Sequence, residues 1–222
     1  MASSMAHEIR NPLTSIKGFI VLIRKILPPA ALHIIDKYLT IIDSEFRNIE
    51  MQITGFLSFS RKPIAEENAE STPISTLLEK TLVLVNPLLL NENIELVLDV
   101  EEGLEAHLQK LAMIQVFSNL LNNAIDALRE SDRLPRLIAI KAYVDGKYVY
   151  VRISNTGPEI PASIQASLFD PFVTGKTEGT GLGLAICKQI VERNGGEIRF
   201  ETGSKETTFT LRFSAPAATE AI

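Results

Sequence analysis

Two apolar seams separated by a pair of prolines restrict what the first sixty residues can become. Ile9, Leu13, Ile16, Ile20, Ile23 and Leu27 alternate steps of four and three, the spacing that keeps side chains on one line of a helix. Pro28-Pro29 ends that helix, because neither proline donates a backbone hydrogen bond. Ile35, Leu39, Ile42, Phe46, Ile49, Ile53 and Phe56 then repeat the same alternation. Two seamed helices joined by a short loop predict an antiparallel hairpin. Ile34, Ile41 and Phe59 widen the second stripe beyond what one partner helix covers, so two hairpins should pair as a four-helix bundle in a homodimer. The alternative is that both helices pack on the rest of the same chain.

The period then changes. Residues 63–72 (PIAEENAEST) lose the seam and read as a linker. Beyond them, Ile94 to Val100, Leu137 to Val144, Tyr148 to Ser154, Glu197 to Glu201 and Thr207 to Phe213 are short β-rich segments. They alternate with helical stretches at Ile74 to Leu90, Lys110 to Arg129 and Leu182 to Arg193. Such interleaving predicts a sheet with helices on one face, and Asp145-Gly146 predicts a hairpin turn. The expected organisation is α + α/β: a helical hairpin over 1–62, a linker over 63–72, a sheet domain over 73–214 and a frayed tail over 215–222.

Composition narrows the class further. With 45% hydrophobic residues the 222-residue chain can bury a core, and its net charge of −5 lacks the basic excess of a nucleic-acid binder. One cysteine, Cys187, cannot form an intramolecular disulfide, which favours a reducing compartment. The apolar run Phe19 to Ile23 falls far short of the roughly 20 residues that span a bilayer. A cytoplasmic location is the expectation for this stretch of chain.

Three signals in the second region carry chemistry. Gly179, Thr180, Gly181, Leu182 and Gly183 lead into an apolar helix, and glycine-rich backbone at a helix N-terminus suits phosphate, although a structural turn would look the same. On the helix over 111–129, Asn119 and Asn123 share a face and Asp126 follows on nearly the same stripe. Oxygen donors in a row suit a hard cation such as Mg²⁺, the plain alternative being amides that face water. After an alternating strand, Asn155 can accept a hydrogen bond and Gly157 permits close backbone approach. Between these signals, Phe169 and Phe172 can anchor a movable segment and Lys176 offers a charge for phosphate.

In order, these pieces resemble the sensor histidine kinases. The run Asn119-Leu-Leu-Asn-Asn123-Ala is similar to their N box, and Asn155-Thr-Gly157 to the first glycine box. Phe169-Asp-Pro-Phe172 is similar to the F box and Gly179-Thr-Gly181-Leu-Gly183-Leu to the second glycine box. His7-Glu8-Ile9-Arg10-Asn11-Pro12-Leu13 resembles the H box that carries a phosphoacceptor histidine, and His7 lies one position off the seam beside Arg10 and Asn11. Within that family the chain resembles the sporulation sensor kinases of spore-forming bacilli.

The resemblance implies a gyrase-type ATP-binding sandwich after the hairpin, with ATP under a lid from about Gly157 to Gly179. Asn155 would bond the adenine amino group, and Asn123 with Asn119 would hold Mg²⁺. The loop from Gly179 to Gly183 would cradle the phosphates, and Lys176 would neutralise charge. His7 would attack the γ-phosphoryl group while Glu8 holds the proton on its other ring nitrogen. The phosphoryl group would then pass to an aspartate of a response-regulator receiver domain. Arg10 and Asn11 would support the H box, Asn11 in the position where some members orient water to dephosphorylate the partner. The bundle would also offer a docking face for a protein inhibitor.

Two departures from the family pattern stand out. Asn155 replaces the usual aspartate and Glu159 the usual second glycine of the first glycine box. An uncharged amide accepts a weaker hydrogen bond, so weaker ATP binding is expected. A gyrase-type or chaperone-type ATPase shares the pocket but has no use for His7-Glu8 on a seamed hairpin, and a degenerate kinase acting as a scaffold is the remaining alternative. Family members carry sensor and often membrane segments upstream of the H box. The chain is therefore expected to be the catalytic core of a longer protein, anchored to a membrane, if at all, through segments it lacks.

Overall fold

A computed structural model of the chain describes residues 68–176 and 179–216, together with isolated positions between 18 and 42. The chain divides into two compact units, Met1–Ala65 and Glu66–Ile222, and the division falls inside the stretch read as linker. In the first unit, the described positions from Gly18 to Ile26 and from Ile35 to Ile42 are helical. They flank Pro28-Pro29, which lies outside the described residues, as do the seam residues Ile9, Leu13, Ile16 and those beyond Ile42. Of the seam positions that are described, Ile20 and Leu39 are buried while Ile23 and Ile42 remain exposed.

The second unit runs β1 (Glu70–Pro73), α1 (Ile74–Asn91), β2 (Glu95–Val100), β3 (Glu105–Leu108), α2 (Lys110–Arg129), β4 (Leu137–Asp145), β5 (Tyr148–Asn155), α3 (Ala162–Gln165), α4 (Gly183–Arg193), β6 (Glu197–Thr202) and β7 (Thr207–Ser214). Five strands form one sheet in the order β2-β4-β5-β7-β6. All neighbours are antiparallel except β2 and β4, which run parallel because β3 and α2 cross between them.

Strand alternation decides which face of that sheet is covered. Ile138, Ile140 and Ala142 of β4, Val149, Val151 and Ile153 of β5, and Phe209, Leu211 and Phe213 of β7 are buried on one face. The helices α1, α2 and α4 close over it, α2 contributing Met113, Phe117, Leu120, Leu121, Ile125 and Leu128 at helical spacing. Polar and aromatic residues occupy the other face, where Tyr143 stacks on Tyr150 at 5.3 Å and the Arg212 guanidinium lies 4.5 Å from the Tyr148 ring centre. The unit is thus a two-layer α/β sandwich.

Three features of the fold differ from the sequence reading. Residues 70–72, read as the end of the linker, form β1 and pair with β3, which was not anticipated. Each strand has only four residues; β1 shows no alternation and the alternation of β3 covers just Ala106 and Leu108, yet Thr72 is fully buried and Lys110 bridges to Glu70 at 2.5 Å. The short α3 was likewise not anticipated. Ala215, assigned to a frayed tail, donates its N–H to the Lys147 carbonyl at 2.9 Å, and the tail past Pro216 lies outside the described residues.

The end of α4 explains a glycine pair. Gly195 adopts φ +68° and donates to the Glu192 carbonyl, while Gly196 donates to Val191, the two bonds of a Schellman cap. A Cβ on Gly196 would lie 2.6 Å from the Phe213 ring and 2.8 Å from the Arg212 carbonyl oxygen. Gly196→Ala should therefore cost about 1–3 kcal/mol of stability, the range for forcing atoms into a packed site. Gly203→Ala, where a Cβ meets nothing within 4 Å, should stay within about 0.5 kcal/mol of the parent. Equal urea midpoints for the two variants would contradict the close approach of α4 and β7.

Candidate functional site

The helix α2 buries one stripe and presents another. Its apolar side faces the sheet, and this turns Asn119, Asn123 and Asp126 toward α4 and the segment before it. The Asn119 amide nitrogen donates to the Gly183 carbonyl at 3.5 Å. The Lys176 ammonium donates to Asn123 Oδ1 at 3.1 Å and to Asp126 Oδ2 at 2.7 Å. Asn122 is exposed, as its place off the stripe requires. Two oxygens from successive turns of α2 thus converge on one positive centre, and that donor chemistry fits a hard cation. No group of three or more His, Cys, Asp or Glu side chains that could hold a metal occurs among the described residues, so such a site would depend on amide oxygens.

Lys176 was expected to meet phosphate; in the structure its partners are Asn123 and Asp126. Asp126 belongs to the oxygen row read from the sequence, but its pairing with Lys176 does not follow from that row. Its distance of fifty residues along the chain from Lys176 left no sequence signal for the pair.

A second corner of the site lies at the end of β5. Strand parity places Asn155 on the buried face with Val149, Val151 and Ile153, in register between Ile138 of β4 and Thr207 of β7. Asn155 is only 4% exposed, and its side-chain nitrogen has no hydrogen-bond partner. A buried donor left unpaired costs about 1–3 kcal/mol, which marks this amide as one that a ligand acceptor would satisfy. Gly157 is required beside it, since a Cβ there would lie 2.6 Å from Asn155 Nδ2 and 3.0 Å from Ala127 Cβ. Ala127 follows Asp126 on α2, so both corners lie along the same helix.

The turn after Asn155 is fastened by residues that the sequence reading did not single out. The Thr156 hydroxyl donates to the Pro135 carbonyl and accepts from the Leu137 N–H. Arg133 donates to the carbonyls of Ser204 at 3.1 Å and Gly157 at 3.5 Å.

The segment from Gly157 to Gly183 is held at both ends, though not as expected. Phe169 does anchor it, packing edge-on to Phe200 at 5.9 Å and to Phe209 at 6.4 Å. Phe172 does not anchor through its ring, which is 64% exposed. Its backbone takes φ +68° and its N–H donates to the Gly181 carbonyl at 3.0 Å. Gly181 has φ +65°, and a Cβ there would collide with the Phe172 backbone. The glycine loop is thus pinned by main chain against main chain, a contact that only glycine permits. A Cβ on Gly179 would strike the Thr174 hydroxyl. Gly183 differs, because nothing lies within 4 Å of its Cβ position and its carbonyl serves Asn119.

The loop ends at α4. Leu182 is its N-cap and supplies no side-chain cap, while its own N–H donates weakly to the Thr180 hydroxyl at 3.4 Å. A helix N-terminus without a side-chain cap presents N–H groups and a positive dipole end, as phosphate binding needs. Behind it, Cys187 is fully buried, and burial pushes its thiol up to about 12, with a hydrogen bond from Asn119 opposing. His7, Glu8, Arg10 and Asn11 lie outside the described residues.

Comparison with known proteins bears on both units. Residues 109–217 match the model described as histidine kinase-, DNA gyrase B- and HSP90-like ATPase, and residues 1–63 match the His Kinase A (phospho-acceptor) domain. The chain is 34% identical to sporulation kinase D of Bacillus subtilis, over 97% of itself and 42% of that protein. It is 30% identical to the signal transduction histidine-protein kinase AtoS of Escherichia coli, over 95% of itself and 34% of that protein. It therefore spans less than half the length of these two curated relatives. Among solved structures it resembles the catalytic domain of histidine kinase ThkA, with a TM-score of 0.59 and 30% identity over 66% of this chain and 95% of that one. It also resembles ThkA in complex with response regulator protein TrrA, with a TM-score of 0.70 and 30% identity over 97% of this chain and 61% of that one.

Two measurements check the geometry. Gly181→Ala should release the Phe172 amide, seen as faster hydrogen exchange at Phe172 while the amides of β5 keep their protection; unchanged exchange at Phe172 would refute the pinning. The thiol result concerns alkaline pH. The folded value of Cys187 lies above its ordinary 9.0, so its contribution to stability is intact below about pH 9 and is lost as pH rises toward about 12. Native protein at pH 8 should stay silent to a thiol reagent until urea unfolds it, and rapid labelling of folded protein would contradict the burial.

Proposed function

The chain belongs to the histidine kinases, and from that premise we propose that it transfers the γ-phosphoryl group of ATP to its own His7 and then to an aspartate of a response-regulator receiver domain. The observation that carries the reading is the convergence along α2 of an orphaned buried amide, an oxygen row and an uncapped helix N-terminus, preceded in sequence by a phosphoacceptor domain. An ATPase of the gyrase or chaperone type would need only the first three.

The roles follow from chemistry at each position. Asn155 binds the base through its side-chain amide, in a pocket whose floor Gly157 keeps open. Backbone N–H groups from Gly179 to Gly183, with Thr180 and Leu182 between, surround the phosphates at the positive end of α4. Asn123 with Asn119 would hold Mg²⁺, which when bound draws charge from the phosphate oxygens. Asp126 borders that row. Lys176 exchanges its partners on α2 for phosphate oxygen, since one ammonium can serve either. The neutral imidazole of His7 attacks in line, forming an N–P bond as the bond from phosphorus to the bridging oxygen breaks and ADP leaves. Glu8 holds the proton on the other ring nitrogen, so that charge does not accumulate on the ring. Arg10 and Asn11, three and four positions on in sequence, would support the H box, and Asn11 would orient water for dephosphorylation of the partner.

The first unit acts as a dimer in this reading. Exposed Ile23 and Ile42, both seam positions, support pairing of two hairpins into a four-helix bundle. The bundle face around His7 docks the receiver domain, and the same face can take a protein inhibitor. No helix among the described residues is long and apolar enough to cross a membrane. In the proposed reading the chain acts in the cytoplasm, because that is where ATP and a response regulator would meet it.

Incubation with γ-labelled ATP and Mg²⁺ tests the reading. The protein should acquire an acid-labile, alkali-stable label that is absent in His7→Ala and reduced about 10²-fold in rate in Asn123→Ala. Free phosphate without labelled protein would point to an ATPase instead. Neither product, with nucleotide still bound, would point to a scaffold.

A further inference from the structure

The buried amide at the end of β5 offers a donor as well as an acceptor, and neither orientation of it is fixed. Asn155 Nδ2 has no hydrogen-bond partner, and the neighbouring residue that could have crowded it is Gly157. The polar groups nearest in register are already engaged. Across the strand pair, the Thr207 hydroxyl is bonded to that of Thr202 at 2.7 Å. Ser154 and Thr208 bond each other at 2.8 Å on the opposite face of the sheet. The torsion that turns a carboxamide end for end joins a tetrahedral to a planar carbon, and its profile is broad and roughly two-fold. Both orientations are therefore open to Asn155.

Purines differ at the edge such a group would read. A 6-aminopurine places an amino donor next to the N1 acceptor. A 6-oxopurine places a carbonyl acceptor next to an N1–H donor. A carboxamide matches the first edge in one orientation and the second after a half-turn. A carboxylate accepts only, so where it faces the 6-substituent of a base held in one pose it suits the amino group and meets the 6-oxo group with charge against lone pairs.

We propose that this site takes 6-oxopurine nucleotides as well as adenine nucleotides, and that Asn155 is the residue that sets this tolerance. The proposal rests on the reading of Asn155 as the base-binding residue. Because Asn155 Nδ2 has no partner in the protein, either base satisfies it, through N1 of adenine or O6 of the oxopurine. The gain from pairing the orphaned donor is thus shared by both ligands and does not discriminate between them.

Calorimetric titration of the whole chain with ADP and with inosine diphosphate, each with Mg²⁺, tests this. Inosine is the cleaner probe, since it carries the 6-oxo edge without the 2-amino group that a carboxylate could also bind. The two dissociation constants should agree within about tenfold in the parent chain. In Asn155→Asp the preference for ADP over inosine diphosphate should widen by at least about tenfold. A parent preference for ADP beyond tenfold, or an equal preference in parent and variant, overturns the proposal while leaving nucleotide binding intact. Failure of ADP itself to bind the parent overturns the nucleotide reading and this proposal with it. If Asn155→Asp does not fold, by its thermal melt, the parent ratio decides alone.

Discussion

The apolar stripe of α2 is pressed against the inner face of the sheet, and that contact sets the direction of every other stripe on the helix. Met113, Phe117, Leu120, Leu121, Ile125 and Leu128 are buried almost completely, so rotation of the helix about its axis would uncover several of them at once. Each large side chain withdrawn from that core would cost on the order of 1.5–3 kcal/mol. The orientation of Asn119, Asn123 and Asp126 is fixed by the same contact, from the far side. A polar row aimed by a hydrophobic core needs no polar partner to hold it in place. The row is therefore free to bind and release a cationic group, as its contact with Lys176 illustrates.

Against that rigid reference the segment from Gly157 to Gly183 is attached in two different ways. At Phe169 the attachment is an aromatic cluster with half-buried Phe200 and buried Phe209, which carries no charge. At Phe172 and Gly181 it is one backbone hydrogen bond between two residues that both take positive φ. A non-glycine residue in that conformation costs of order 1–3 kcal/mol, while the single bond it makes returns about 1 kcal/mol. The first attachment is therefore firm and the second close to balance. Movement should begin at Phe172 and stop at Phe169, which leaves the glycine loop at α4 as the mobile wall of the site.

How much of this could be read from residues alone depended on whether the signal was local. β-rich composition disclosed β2, β4, β5, β6 and β7, and the helical stretches between them gave α1, α2 and α4 to within two residues at either end. The ribbon of β1 and β3 was missed because its strands are four residues each, too short for a pattern to stand out, with burial confined to Thr72, Ala106 and Leu108. At the site, the shared face of Asn119 and Asn123 was legible from their four-residue spacing, while the burial of Asn155 was not. The partner of Lys176 and the exposure of Phe172 were not, since both depend on how the long segment folds back onto α2 and the glycine loop. The aromatic pair looked like two anchors, but Phe172 follows Pro171 into a left-handed turn that throws its ring outward.

The Lys176 pair also bears on why such a site can open. Its side chains are 27% and 41% exposed, and ion pairs in that setting contribute at most about 1 kcal/mol, less as salt rises. A polyphosphate brings several negative charges to the same ammonium at close range. Phosphate oxygens near a helix N-terminus and away from bulk water should therefore outcompete one half-exposed carboxylate. In the proposed reading, transfer of Lys176 from α2 to phosphate oxygen would uncover Asn123 Oδ1 and Asp126 Oδ2, the oxygens that would then serve a hard cation. The weak pair keeps the row occupied without committing it, so the relative strength of the two contacts alone would favour transfer of the ammonium to phosphate.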